Sequence, residues 1–209
     1  MAIITFSRQY GSGGSEIAAM VAESLGWSLL DNDVVDAVAE RLGVSPQEIT
    51  EREERVPSLV ERLASALTLG APEMLPPPDA AATPLTEERI VEVTRRVVEE
   101  AVARGPVVVV GRGAQAMLAE RQDALHVFCY APRAALVERA MQRLGVDRAE
   151  AERVVVDTNN QRDQYVKRHW GRARQAFEYY HLCVNTSWLG LGDSARWIAR
   201  LARERFPNA

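Results

Sequence analysis

Short apolar runs alternate with stretches of helical periodicity along this chain. Residues 2–6, 27–30, 107–110, 125–130 and 182–185 read as five strands. The VVVV run at 107–110 is β-branched throughout, the composition of a parallel strand buried on both faces. Residues 16–25 place Ile17, Met20, Val21 and Leu25 at helical spacing and stop at Gly26. Residues 132–144 begin with Pro132 in a first-turn position, and 193–206 open on Asp193, a residue type suited to capping. Strands alternating with helices in this way predict an α/β fold, a five-stranded parallel sheet covered on both faces.

Two long stretches interrupt the alternation. Residues 33–105 carry helical patterns and no strand. Within them Ser45-Pro46-Gln47-Glu48 has the form of a capping box, and Thr86 with Glu87 and Glu88 starts a helix ending near Gly105-Pro106. Between these lies a proline-alanine loop, PEMLPPPDAAATP, at residues 72–84. Residues 145–177 are charged and helical, with 147–168 as their body. Both interruptions follow strand–helix units, where α/β folds place segments that close over ligands. The core is then residues 1–32, 106–144 and 178–209.

Composition narrows the chemistry. The 209 residues are 47% hydrophobic, enough for a real core, and the formal net charge of −4 argues against a nucleic-acid binder. Of the 25 basic residues 24 are arginine, and the single lysine is Lys167, so any mechanism needing a lysine elsewhere is excluded. Cys129 and Cys183 sit in apolar runs and are expected as reduced, packed thiols. The opening AIITF is too short for a secretory apolar region, and no stretch approaches the ~18 apolar residues of a membrane span, which together predict a cytoplasmic protein. His126, His169 and His181 are scattered and suggest no shared site.

The strongest local signal is SRQYGSGGSEIA, between the first strand and the first helix. Gly11, Gly13 and Gly14, with Ser12 and Ser15 interleaved, allow a tight turn whose N–H groups face one point. The helix N-terminus behind them adds partial positive charge, which suits a phosphate. A regular phosphate-binding loop reads GxxxxGK[ST], its lysine reaching the β- and γ-phosphates. Here Arg8 stands at the first glycine, Gly14 at the lysine, and Ser15 directly after it. Arg8 then either occupies the space the lysine leaves or pairs with a carboxylate such as Asp31 or Glu16. Asp31, ending the second strand, lies where parallel sheets bind ligands, while Asn32 and Asp33 suit capping of the next helix. Asp157, Asn159 and Asn160 fit either metal and sugar contacts or plain helix-surface polarity.

Taken in order, ITFSRQYGSGG, GWSLLDND, VVVVGRG, HVFCYAP, NNQRDQYVKRHWG and YYHLCVNTS resemble the cytidylate-kinase-like proteins, relatives of bacterial cytidylate kinase among the nucleoside monophosphate kinases. The resemblance covers nearly the whole chain and is weakest over 45–100. It implies a P-loop NTPase-like three-layer core with a helical monophosphate-binding insertion at 33–105 and a lid at 145–177. It also implies transfer of the ATP γ-phosphoryl group to CMP or dCMP with Mg2+. Residues 7–15 would cradle the donor phosphates, Asp31 and Arg112 would face the acceptor, and Arg162 and Arg168 would be lid arginines near the transferring phosphate. Established cytidylate kinases have acidic residues on both sides of the strand-three motif, where this chain has Val110 and Gly113 around Gly111-Arg112. No metal ligand is assigned.

Phosphoryl transfer needs in-line positioning and positive charge over the phosphoryl oxygens. Arginine supplies that charge through a planar fork. The candidates are Arg8, Arg112 and the group Arg162, Lys167, Arg168, Arg172 and Arg174, which cannot all share one narrow helix face. Three functions follow: a nucleoside monophosphate kinase, a nucleotide-binding protein that transfers nothing and serves sensing or assembly, or a kinase of another small acceptor. The partners expected are nucleotides, with neither nucleic acid nor membrane. The apolar segment Trp188-Leu189-Gly190-Leu191 is expected to pack internally.

Overall fold

The computed structural model describes residues 2–31, 33–47, 49 and 86–209. The capping box at Ser45 loses its Glu48 from that range, and the proline-alanine loop lies outside it. The elements run β1 (Ile3–Arg8), α1 (Gly14–Leu25), β2 (Ser28–Leu30), α2 (Asp33–Leu42), α3 (Glu87–Arg104), β3 (Val107–Val110) and α4 (Ala114–Met117). They continue with β4 (Ala124–Tyr130), α5 (Arg133–Leu144), α6 (Arg148–Trp170), β5 (Leu182–Asn185), α7 (Thr186–Leu189) and α8 (Leu191–Arg205). The five strands form one sheet in the order β2-β3-β1-β4-β5, with every recorded pairing parallel. β1 is central, and the chain's connections part to either side of it. A ligand crevice therefore belongs at its carboxyl end.

Alternate residues divide the sheet between two helical layers. Ile4, Phe6, Val108, Val110, Val127 and Cys129 pack against Ile17 and Val21 of α1 and Ile198 and Ala202 of α8. Ile3, Val107 and Val109 pack on the other face against Val98 and Val102 of α3 and Leu118. β1 runs two residues past the apolar run because Ser7 and Arg8 stay in register with Phe128 and Cys129 of β4. That extension holds Arg8 on the sheet rather than in the turn that follows. Both cysteines are free thiols, and burial pushes Cys129 up to about 12.

Helix ends follow local chemistry. Thr86 accepts from the Arg89 amide and opens α3, and Asp147 accepts from the Glu150 amide and opens α6. Pro132 sits at the N-cap of α5 rather than inside its first turn. Asp193 does not cap the last helix. α8 begins two residues earlier, after Gly190, and Asp193 lies in its first turn, where a carboxylate still favours the helix dipole. The intervening α7 is capped by Asn185, whose Oδ1 accepts from the Ser187 and Trp188 amides. Internal packing holds for Leu189 and Leu191, but Trp188 is 84% exposed.

Two of the three histidines meet in the fold. The His126 and His181 rings stack at 5.0 Å, and His181 Nδ1 accepts from the His126 amide. His126 Nδ1 shares a 2.7 Å hydrogen bond with the Thr5 hydroxyl. Burial, with repulsion from His181, pushes the His126 imidazole down to about 4. An unfolded histidine titrates near 6.5, so the neutral ring's contribution is complete above that pH. It is lost as pH falls towards 4, by about 3 kcal/mol. Melting temperature measured from pH 7 to 4 should fall more steeply in the wild type than in His126→Gln.

Candidate functional site

The glycine-rich turn leads directly into the N-terminus of α1. Gly11 and Gly13 take φ of 80° and 75°, and the first helical bond of α1 runs from the Ile17 amide to Gly13 O. The amides of Gly14, Ser15 and Glu16 therefore precede the helical ladder, at the positive end of the helix dipole. The carbonyls point the opposite way and are fastened there. Arg139 Nη1 donates to Ser12 O at 2.9 Å and to Gly11 O at 3.4 Å, and the Thr186 hydroxyl donates to Ser12 O at 2.6 Å. Ser12 Oγ donates to Gln9 O at 2.7 Å. Arg139 thus locks the turn with its carbonyls turned away from the ligand side, a part the sequence did not single out.

Beside this turn a cavity of ≈ 150 Å³ opens at the carboxyl ends of β1, β2 and β3, under α6. Arg8, Arg112, Arg162 and Arg174 line it, with Asp31 among its walls. Arg8 and Asp31 approach to 3.8 Å. Burial holds the Arg8 and Arg112 guanidinium groups below their ordinary range, partly offset at Arg8 by Asp31 and at Arg112 by Tyr165 and Asp31. Burial likewise pushes the Tyr165 phenol up to about 12. Gln115, Gln161, Tyr165 and Tyr180, none of them anticipated, add amide and phenol groups to the wall. They come from α4, α6 and the segment before β5, and only tertiary packing brings them to one place.

The Gly111-Arg112-Gly113 turn has all three residues left-handed, with φ of 74°, 51° and 68°. Arg112 is the sole non-glycine with positive φ among the described residues. A Cβ on Gly111 would press on the Arg8 guanidinium, and one on Gly113 would enter the Trp170 indole at the end of α6. Gly113→Ala is accordingly expected to displace Trp170 and the α6 terminus. Quenching and red shift of that tryptophan's fluorescence, with the other tryptophans substituted by phenylalanine, would record it.

The arginines of α6 and the following loop separate into different tasks. Arg174, 6% exposed, donates to Asp163 Oδ1 at 2.6 Å and to Arg8 O at 2.7 Å. Arg162 donates to the same Arg8 carbonyl at 3.2 Å and lies over the Tyr10 ring. Arg168 is not brought to the cavity. It bonds Glu87 at the start of α3, because six residues past Arg162 turn a helix through about 240°. Lys167 is exposed, and Arg172 covers the Tyr179 ring. Asn159 is neither idle nor aimed at a ligand: its Oδ1 accepts from the Tyr10 amide and from Arg174. Asp157 pairs with Arg153 at 3.8 Å. Among the described residues no three His, Cys, Asp or Glu side chains gather to hold a metal ion.

A glycine-rich turn between β1 and α1, beside an arginine-lined cavity at the carboxyl ends of a five-stranded parallel sheet, defines a protein of the P-loop kinase fold. The chain belongs to the cytidylate kinase-like family, whose model matches residues 3–188. No curated protein matches the sequence. Among solved structures it is similar to an uncharacterized protein from Eubacterium ventriosum, at 17% identity and TM-score 0.70, over 97% of this chain and 98% of that one. It is also similar to a shikimate kinase from Acinetobacter baumannii in complex with shikimate, at 19% identity and TM-score 0.54, over 98% and 94%. A gluconokinase from Sinorhizobium meliloti follows at 14% identity and TM-score 0.50, over 100% and 97%. At these identities the likeness is one of fold. Among the described residues no helix is long and apolar enough to cross a membrane.

Proposed function

We propose that the protein transfers the γ-phosphoryl group of ATP to a nucleoside monophosphate, CMP or dCMP. The observation that carries this reading is the arginine-lined cavity at the end of β1, walled by Ser7 and Arg8 where the phosphate turn begins and by Asp31 3.8 Å from Arg8. Donor phosphates would lie against the amides of Gly13, Gly14 and Ser15, at the N-terminus of α1. A phosphate oxygen of the acceptor attacks the γ-phosphorus, the bond to the β–γ bridging oxygen breaks, and ADP leaves. That oxygen is already anionic at neutral pH, so no general base is required. The chain's work is to bring two polyanions together and neutralise their repulsion.

Arg112 would meet the acceptor phosphate, and Asp31 would accept a hydrogen bond from the acceptor's base or sugar. Mg2+ would enter with ATP and supply charge neutralisation on the donor phosphates. The Ser15 hydroxyl, after Gly14, would stand on its side of the turn, and the nucleotide and water would supply the remaining ligands.

A second reading, a kinase of another small acceptor, draws on the same cavity: a neutral hydroxyl acceptor would need a base, and Asp31 in the cavity wall would supply it. A coupled ADP-release assay across nucleoside monophosphates and small polyols tests both. Turnover with CMP or dCMP is expected, and ATP binding without turnover of any acceptor would leave a nucleotide-binding protein instead. With CMP as acceptor, Asp31→Asn should raise acceptor KM about tenfold, the loss of one charge-assisted hydrogen bond, while kcat changes little. A collapse of kcat instead would favour the hydroxyl acceptor.

A further inference from the structure

In a regular phosphate-binding loop the first position is glycine and the position six residues later is lysine. This chain carries the reverse, Arg8 and Gly14, and the fold shows that the two exchanges are one. A Cβ built on Gly14 would lie 2.6 Å from Arg8 Cβ, 3.1 Å from Arg8 Cγ and 3.2 Å from Cys129 Cβ. Cys129 is fully buried on β4, and Arg8 is held in register with it on β1. Neither neighbour can withdraw, so only one of positions 8 and 14 has room for a side chain. The regular motif places it on the helix and keeps glycine on the strand; here it grows from the strand.

The Arg8 side chain runs from beside Gly14 to the floor of the cavity, where its guanidinium lies under Gly111 and faces Asp31. Its Nε is buried and makes no hydrogen bond with any described residue. The Asp31 contact, at 3.8 Å, is an ion pair too long to be a hydrogen bond. Arg174, by comparison, spends its donors on Asp163, Asn159 and the Arg8 carbonyl. A guanidinium has five N–H donors, and a buried one is ordinarily satisfied. The backbone of Arg8 is meanwhile clamped, its carbonyl accepting from both Arg162 and Arg174. The side chain is fixed at its root and has unused donors at its tip.

We propose that Arg8 is the functional replacement of the missing phosphate-loop lysine. It enters from the strand rather than the helix, and its guanidinium takes the oxygens of the phosphoryl group at the boundary between donor turn and acceptor cavity. Gly14 is required by this arrangement, not merely tolerated. The inference rests on the kinase reading for the identity of the transferred group. ATP binding can be measured without any acceptor, so the two can fail separately.

The test is equilibrium binding of ATP and of ADP to the wild type, Arg8→Ala, Gly14→Lys and the double variant Arg8→Gly/Gly14→Lys, with a thermal melt of each. Arg8→Ala should lose about 10- to 100-fold in ATP affinity, the loss of charge-assisted hydrogen bonds, and less for ADP. Gly14→Lys alone should bind ATP poorly, since its stem collides with Arg8. The double variant restores the regular motif and should recover ATP affinity to within about tenfold of wild type. Equal ATP affinity in wild type and Arg8→Ala would overturn the proposal, as would a folded double variant binding no better than Gly14→Lys. Should the double variant not fold, Arg8→Met decides: it keeps the stem and removes the cation, so ATP affinity should fall as in Arg8→Ala, and ATP affinity equal to the wild type in Arg8→Met would also overturn the proposal. Loss of ATP binding in Arg8→Ala with no acceptor phosphorylated by the wild type would uphold the exchange and end the kinase reading.

Discussion

Arg112→Gly is expected to abolish phosphoryl transfer while leaving the protein at least as stable as the wild type. The two effects have separate origins. An arginine presented to a transferring phosphoryl group is worth about 10³–10⁵ in rate, and Arg112 lines the cavity that would hold the acceptor phosphate. Its backbone is left-handed at φ 51°, which costs a non-glycine residue roughly 1–2 kcal/mol. Glycine removes that cost, at the expense of about 0.5–1 kcal/mol of extra unfolded-state freedom. Removing the buried cation relieves its repulsion on Arg8 and gives up its attraction to Asp31, two effects of opposite sign. A thermal melt and an ADP-release assay on the same sample check both halves. A rate within tenfold of wild type would show that the strained arginine is not placed for the acceptor.

Arg174→Met should do the opposite, lowering stability first and activity as a consequence. Arg174 is buried and ties Asp163 and Asn159 of α6 to the carbonyl that ends β1. Methionine keeps much of the stem's volume against Phe128, over which the guanidinium lies at 5.8 Å, but it takes the cation from Asp163 and leaves that carboxylate only the Gln175 amide. Charge-assisted hydrogen bonds of this kind contribute about 1.5–3 kcal/mol. For a domain of this size a loss of about 3 kcal/mol lowers Tm by roughly 6–12 °C. Because Arg8 is anchored through the same carbonyl, kcat should fall along with Tm. A melting temperature within 2 °C of wild type, on the order of the shift from less than 1 kcal/mol, would show that α6 is held by other contacts.

The opposite expectations for Arg112 and Arg174 illustrate what a sequence conveys about a site. Both are arginines next to glycine-marked turns, and pattern alone gives them similar weight. Arg168 had the same weight, and the helix turns it to Glu87 instead. Asn159, which as a sequence signal fits a sugar contact, fastens the amide of Tyr10 in the phosphate turn. Arg139 gave no signal at all, because its partners are carbonyls and Thr186, contributed by residues far from it in the chain. Hydrogen bonds to main-chain carbonyls leave no trace in residue type. They depend on which elements the sheet order makes adjacent.

Local patterning by itself determined the strands, the helix beginning at Thr86, the glycine-rich turn and the absence of any lysine near it. These follow from periodicity, capping and composition, which act over a few residues. Only the tertiary structure decided how the chain accommodates that absence. Packing β1 against β4 fixes Arg8 beside Cys129 and Gly14, where two Cβ atoms cannot coexist, so the arginine on the strand and the glycine on the helix are one steric choice. Excluded volume between residues six apart, set by the bend of the turn, turns an unusual composition into the geometry of a site.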